Sequence, residues 1–146
     1  MHSNAKKISI IASTFNEFLV NSMIESSMKT LNNNGYNEEI IDIVRVPGAF
    51  EIPLMAKKIA LSGDYEAIIA LGVIIRGATP HFDFIAAETT SGIMTVALDN
   101  MIPIGFGVLT CDTMEQAIER SGSDTGNKGH EAALAVVGMI NVLTKS

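Results

Sequence analysis

The sequence is poor in several things whose absence is informative. A single cysteine, Cys111, stands in 146 residues, so no disulfide framework can hold the chain together. Ten Lys and Arg face sixteen Asp and Glu, a formal net charge of −6, with no basic cluster anywhere. A nucleic-acid interface resting on a broad basic surface is therefore not indicated, although one arginine in one cleft still suits a small anion. Long apolar runs are missing too. After the polar stretch Met1 to Lys7 comes only Ile8 to Ala12, and the longest other run is Ala67 to Ile75. Neither makes a signal-peptide core or a membrane span. The expectation is a cytoplasmic protein without a membrane partner. Internal repeats, low-complexity segments and long linkers are also absent, which leaves residues 1–146 as one domain.

What is present is aliphatic. Hydrophobic residues make up 47% of the chain and charged ones only 18%, the balance of a globular rather than a disordered protein. That is more apolar material than a small monomer easily hides. Burial against other subunits and a tightly packed monomer with a few exposed aliphatics both account for it. Short β-branched runs alternate with longer amphipathic stretches. Ile8 to Ala12 reads as a buried strand, and Glu17 to Asn34 as a helix closed by Gly35, with Leu19, Val20, Met23, Ile24, Met28 and Leu31 at three- and four-residue steps. Strands are predicted over Ile40 to Val46, Ala67 to Ile75 and Ile104 to Leu109. Helices are predicted over Ile52 to Ser62, from Thr79-Pro80 with the proline in first position, and from Lys128 to Leu143. Asp112-Thr-Met-Glu115 reads as a capping box opening a further short helix. Repeated strand–helix units predict a three-layer α/β/α sandwich with a central four-stranded parallel sheet, flavodoxin-like in arrangement.

In such a fold ligands bind beyond the carboxyl ends of the strands. The four strand ends carry Ser13-Thr-Phe-Asn16, Val46-Pro-Gly-Ala-Phe-Glu-Ile-Pro53, Arg76-Gly-Ala-Thr-Pro-His-Phe-Asp83 and Thr110-Cys-Asp-Thr113. Two aromatics, a carboxylate, a histidine and a helix start thus converge on one edge. Gly77-Ala-Thr79 leads into a helix N-terminus, where free N–H groups and the helix dipole can hold a phosphate. It matches neither a Walker loop nor a GxGxxG fingerprint. His81, two residues into that helix, can shuttle protons near neutral pH, or can be an ordinary surface residue of a first turn. Phe15 and Phe50 can stack on a flat heterocycle or pack in a core or interface. Arg120 and Lys128 read as solvated helix charges by themselves. Cys111 has no evident base or metal partner and reads as structural. His2 and His130 lack neighbours of ligand type, so no metal site is expected.

These segments carry a resemblance. Phe15-Asn16, Val46 to Pro53, Ile75 to Asp83, Gly107-Val-Leu-Thr110, Asp112 to Arg120 and Gly126-Asn-Lys-Gly129 resemble, in order, the signatures of the 6,7-dimethyl-8-ribityllumazine synthase family. The likeness runs from about residue 8 to residue 140, and the Arg-Gly-Ala-Thr-Pro-His block is its most specific part. It implies condensation of 5-amino-6-(D-ribitylamino)uracil with 3,4-dihydroxy-2-butanone 4-phosphate, without cofactor or metal. By the same resemblance Phe15 stacks on the pyrimidine, and Val73, Ile74 and Ile75 frame it with main-chain groups. Ala49, Phe50 and Glu51 hold the ring's edge and the ribityl chain. Ala78 and Thr79 bind phosphate, and His81 moves protons. Phe106 and Arg120 are implied to arrive from a neighbouring subunit, with Arg120 on the phosphate.

The resemblance also implies homo-oligomers built of pentamers. Thr14 stands where many relatives carry Arg. The first strand starts at Ile8 without the extra N-terminal strand of many shell-forming relatives, yet Ser121 to Gly129 has no insertion, which suits larger shells; shell formation stays open. Three other readings compete. An archaeal-type riboflavin synthase shares the fold and binds lumazines. A response-regulator-like receiver needs acidic residues at its first strand end, where this chain has Ser13-Thr14. A catalytically silent shell protein has no need to retain Phe15, Glu51, His81 and Arg120.

Overall fold

The computed structural model describes residues 6–122 and 126–145. His2 and the middle of the Ser121 to Gly129 stretch lie outside the described residues. Strands β1 (Lys7–Ser13), β2 (Ile41–Val46), β3 (Tyr65–Ile75) and β4 (Ile104–Cys111) alternate with helices α1 (Glu17–Asn33), α2 (Ile52–Ser62), α3 (His81–Asn100), α4 (Met114–Gly122) and α5 (Lys128–Lys145). The strands form one parallel sheet in the order β2-β1-β3-β4. Helices on both faces complete the flavodoxin-like sandwich that the alternation predicts.

The period of two along β1 sorts its side chains. Ile8, Ile10 and Ala12 enter one core, beneath α1, α4 and α5, while Ile11 enters the other, beneath α2 and α3. β3 is central and feeds both: Ala67, Ile69, Leu71 and Val73 point one way, and Ile68, Ala70 and Ile74 the other. That is why its sequence reads as continuous apolar rather than alternating. Each fully buried isoleucine contributes about 1.5–3 kcal/mol relative to an exposed one.

Glycines set the layer spacing on the α5 side. A Cβ on Gly105 of β4 would strike the Ala132 carbonyl oxygen, and one on Gly129 of α5 would strike the Met23 carbonyl oxygen on α1. Backbone therefore meets backbone at both points. Around that contact Ser27 Oγ donates to the Gly129 carbonyl at 2.8 Å, and Thr30 Oγ1 lies 2.7 Å from His130 Nδ1. His130 is thus a strut between α1 and α5.

Several boundaries differ from the sequence reading. β2 starts at Ile41, because Glu38–Ile40 forms a 3₁₀ turn instead. β3 starts earlier, at Tyr65, where the strand pairs with Lys7 and the Tyr65 hydroxyl donates to Asp42 at 2.6 Å. Pro80 is not the first helical residue of α3. Its ψ of 2° lies off the helical value, and its carbonyl accepts from Asp83 N–H at 3.0 Å, so the helix proper opens at His81. The capping box of α4 is shifted by one: Thr113 Oγ1 accepts from Gln116 N–H at 3.2 Å, and Gln116 Oε1 accepts from Asp112 N–H at 2.8 Å. Asp112 is left free for another task.

Candidate functional site

A cleft of about 500 Å³ opens at the carboxyl edge of the sheet, on the side of α2 and α3. Phe15, Gly48, Ala49, Phe50, Glu51, Val73, Ile74, Ile75, Gly77, Thr79, His81, Phe82 and Ile85 line it. Most of the residues predicted from the sequence are therefore brought together, from segments up to 66 positions apart in the chain. The volume suits a small molecule.

Local chemistry explains how the walls are held. Asn16 adopts a left-handed conformation (φ 60°, ψ 43°) and its carbonyl accepts from Leu19 N–H at 3.0 Å. Asparagine tolerates that region where most residues do not. The turn it makes leaves Phe15 two-thirds exposed at the cleft mouth (67%). Thr14 N–H donates to the Val46 carbonyl at 2.8 Å, Phe15 N–H to the Pro47 carbonyl at 3.1 Å, and Thr14 Oγ1 to the same Pro47 carbonyl at 3.1 Å. The loop carrying Phe15 is thus sewn to the loop carrying Phe50 and Glu51. Thr14 supplies this stitch at the position where the resemblance expects arginine. At the floor, a Cβ on Gly72 would come within 3.2 Å of Ser13 Oγ and 3.4 Å of Ala49 Cβ, so β3 packs closely against the Ala49–Glu51 turn.

The segment between β3 and α3 is a bare turn. Residues Arg76 to Pro80 have neither helical nor strand structure, and all five are exposed. At its far side His81 N–H donates to Thr79 Oγ1 at 3.3 Å. Ala78 is exposed and is not among the residues lining the cleft. At its near side Arg76 N–H donates to the Cys111 carbonyl at 2.8 Å, continuing the β3–β4 ladder. Sequence reasoning gave Arg76 no role. Its Nε bonds Asp112 Oδ1 at 2.8 Å, its Nη1 lies 3.4 Å from Asp83 Oδ1, and its guanidinium sits 4.4 Å above the Phe82 ring. The Asp112 hydrogen bond raises the pKa of the guanidinium further above its ordinary value.

Phe106 and Arg120 do not reach this cleft. They line a second hollow, of about 260 Å³, along the edge strand β4 with Val108, Leu109, Thr110, Gly126, Lys128 and Glu131. Arg120 is exposed there, its Nη1 3.9 Å from Cys111 Sγ, and Lys128 pairs with Glu131 at 3.5 Å. Burial pushes the Cys111 thiol above its ordinary pKa, partly offset by Arg120. Asn127, also overlooked, is buried: its amide donates to the Ser121 carbonyl at 2.8 Å and its oxygen accepts from Gly129 N–H at 2.7 Å. It caps α5 and ties it to α4.

Among the described residues no group of three or more His, Cys, Asp or Glu is placed to hold a metal ion, and no helix is long and apolar enough to cross a membrane. Fold and cleft together define a flavodoxin-like α/β domain with a small-molecule pocket at the carboxyl edge of its sheet and a second hollow along its edge strand. The profile of the 6,7-dimethyl-8-ribityllumazine synthase family matches residues 5–144. A protein of Chlorobium phaeobacteroides named 6,7-dimethyl-8-ribityllumazine synthase is 50% identical over 142 residues, 97% of this chain and 92% of its own. Proteins of the same name from Pelodictyon phaeoclathratiforme and Chlorobium chlorochromatii are 53% and 52% identical over 95% and 93% of this chain, and 91% and 88% of theirs. The chain belongs to the 6,7-dimethyl-8-ribityllumazine synthase family.

Proposed function

We propose that the protein condenses 5-amino-6-(D-ribitylamino)uracil with 3,4-dihydroxy-2-butanone 4-phosphate to 6,7-dimethyl-8-ribityllumazine, releasing phosphate and water. Membership of the family makes it an enzyme of riboflavin biosynthesis. The observation that carries the site assignment is the single cleft gathering Phe15, Phe50, Glu51, Val73 to Ile75, Thr79 and His81. In this reading the pyrimidine stacks on Phe15, and main-chain groups of Val73, Ile74 and Ile75 meet its edge. Ala49, Phe50 and Glu51 hold the ribityl side, with the Glu51 carboxylate suited to its hydroxyls. The phosphate lies at the start of α3 against Ala78 and Thr79. His81 then moves protons while the amine forms an imine with the ketone and phosphate departs. Most of the acceleration comes from holding two substrates in register.

Among the described residues no Lys or Arg lines the cleft for a dianionic phosphate, and Arg76 on the adjoining turn is already paired with two aspartates. Arg120 and Phe106 supply what is missing if they come from an adjacent copy. A homo-oligomer built of pentamers is part of the proposal, supported by the exposed apolar side chains Leu54, Leu61, Met94, Leu98 and Met101 on and just beyond α2 and α3. So is a cytoplasmic location, which the lone buried thiol of Cys111 suits. The test is lumazine absorbance when purified protein meets both substrates. A rate well above the spontaneous condensation supports the reading. A blank-level rate, with riboflavin formed from lumazine alone, transfers the chain to the riboflavin synthase chemistry. No turnover of either kind in folded, assembled protein leaves a shell-only role.

A further inference from the structure

The turn from Arg76 to Pro80 poses a mechanical problem. It is exposed throughout, and a Cβ built on Gly77 meets nothing within 4 Å, so nothing packs against that point of the turn. A phosphate site in which the turn wandered would hold its ligand poorly, because an offset of about 1 Å is enough to lose much of the benefit of positioning. The placement of the turn must come from its two ends. Arg76 is the residue of the turn whose side chain contacts both flanking segments: Asp112, which precedes α4, at 2.8 Å, and Asp83, in the first turn of α3, at 3.4 Å. Beneath the guanidinium lies Phe82, 9% exposed and part of the cleft wall beside His81.

We propose that Arg76 is a positioning residue for the phosphate half of the site, bridging Asp112 and Asp83 over the Phe82 ring and so fixing the Gly77–Thr79 turn and the start of α3 against the end of the sheet. The inference rests on the lumazine-forming reading of the cleft. The planar fork of arginine matters because one carboxylate is met by Nε and the other by Nη1, while the flat face rests on a ring. A lysine ammonium keeps the charge but cannot make all three contacts. The pyrimidine half is held separately, through the Thr14–Pro47 and Phe15–Pro47 hydrogen bonds, and does not depend on Arg76.

The test measures KM for each substrate, together with the calorimetric Kd for inorganic phosphate, in wild type, Arg76→Ala, Arg76→Lys, Asp112→Asn and the Arg76→Ala/Asp112→Asn pair. Because the contacts are half-exposed, Arg76→Ala is expected to raise KM for the butanone phosphate and Kd for phosphate only about three- to tenfold, leaving the pyrimidine KM within about twofold. Arg76→Lys falls nearer to the alanine variant than to wild type. Asp112→Asn moves the same two constants upward, and adds nothing once Arg76 is gone. Three results overturn the inference in a lumazine-forming wild type: both KM values unchanged or raised equally, Arg76→Lys indistinguishable from wild type, or Asp112→Asn tightening phosphate by releasing Arg76 as a direct ligand. A wild type that makes no lumazine but loses phosphate affinity on Arg76→Ala refutes the proposed reaction and leaves the positioning role standing.

Discussion

If Phe106 and Arg120 of one copy complete the cleft of the next, two inactive variants should repair each other. Phe15→Asp damages the cleft itself. Its ring is 67% exposed, so the fold survives, while a stacked aromatic contributes about 1–3 kcal/mol to holding a base-like ring. The new carboxylate also faces a dianionic substrate. Arg120→Ala damages the other hollow, removing a charge-assisted contact of about 1.5–3 kcal/mol, which corresponds to roughly ten- to 150-fold in phosphate-substrate binding. Each homo-oligomer should retain about a tenth of wild-type activity or less at substrate levels well below the wild-type KM. In oligomers co-expressed from equal amounts of both chains, an intact cleft meets an intact arginine at about a quarter of the sites if neighbours are drawn at random. The assay is lumazine formation by co-assembled protein, isolated through different tags on the two chains, beside the two parents mixed after purification. About a quarter of wild-type activity in the co-assembly, against parental levels in the mixture, is the expected result. Co-assembled protein no better than the mean of its parents would refute the shared site and leave Arg120 without its assigned role.

Three further outcomes are expected. His81→Ala should slow turnover by about tenfold, less than a dedicated proton donor loses, because solvent can carry protons during imine formation; a single-turnover measurement checks this. Gly129→Ala should destabilise the fold by about 1–3 kcal/mol, since the added Cβ meets the Met23 backbone, and its urea midpoint should fall accordingly. The Tyr65 pKa is raised from 10.0 to about 12, first by its hydrogen bond to Asp42 and then by burial. The protonated phenol is the form favoured in the fold, so its contribution is complete below pH 10 and disappears as pH rises towards about 12. Tyr65→Phe should remove the later of the tyrosinate absorbance steps and flatten that part of the stability profile.

The parts of this molecule legible in its sequence are those where one segment decides its own fate. The continuous apolar run from Ala67 to Ile75 could only be a strand buried on both faces, and the three- and four-step spacing from Leu19 to Leu31 could only be a helix with one covered side. The lining of the main cleft was legible too, because strand ends in a parallel sheet share one edge. Features that depend on distant partners were not. Arg76 and Asp112 lie 36 positions apart, and no spacing rule connects them. Tyr65 and Glu66 are a polar lead-in to β3 that becomes strand only through pairing with Lys7 and bonding to Asp42. Pro80 reads as a helix's first residue until its ψ is known. Asn127 looks like the filler of a glycine-flanked loop until its bonds to the Ser121 carbonyl and the Gly129 N–H are seen.

The seat of α5 has a consequence for the order in which the molecule can form. This helix joins segments far apart in the chain: it presses Gly129 onto α1 and the Ala132 backbone onto Gly105 of β4. On a ribosome both surfaces emerge before the helix that packs on them, α1 long before and β4 shortly before. Until α5 follows, the core that Leu19, Val20 and Met23 share with Ala132, Ala133, Val136 and Ile140 stays open on one side. Synthesis therefore produces a chain that can pair its strands before it can seal its larger core, which waits for α5, and the interval is when a chaperone has most to hold.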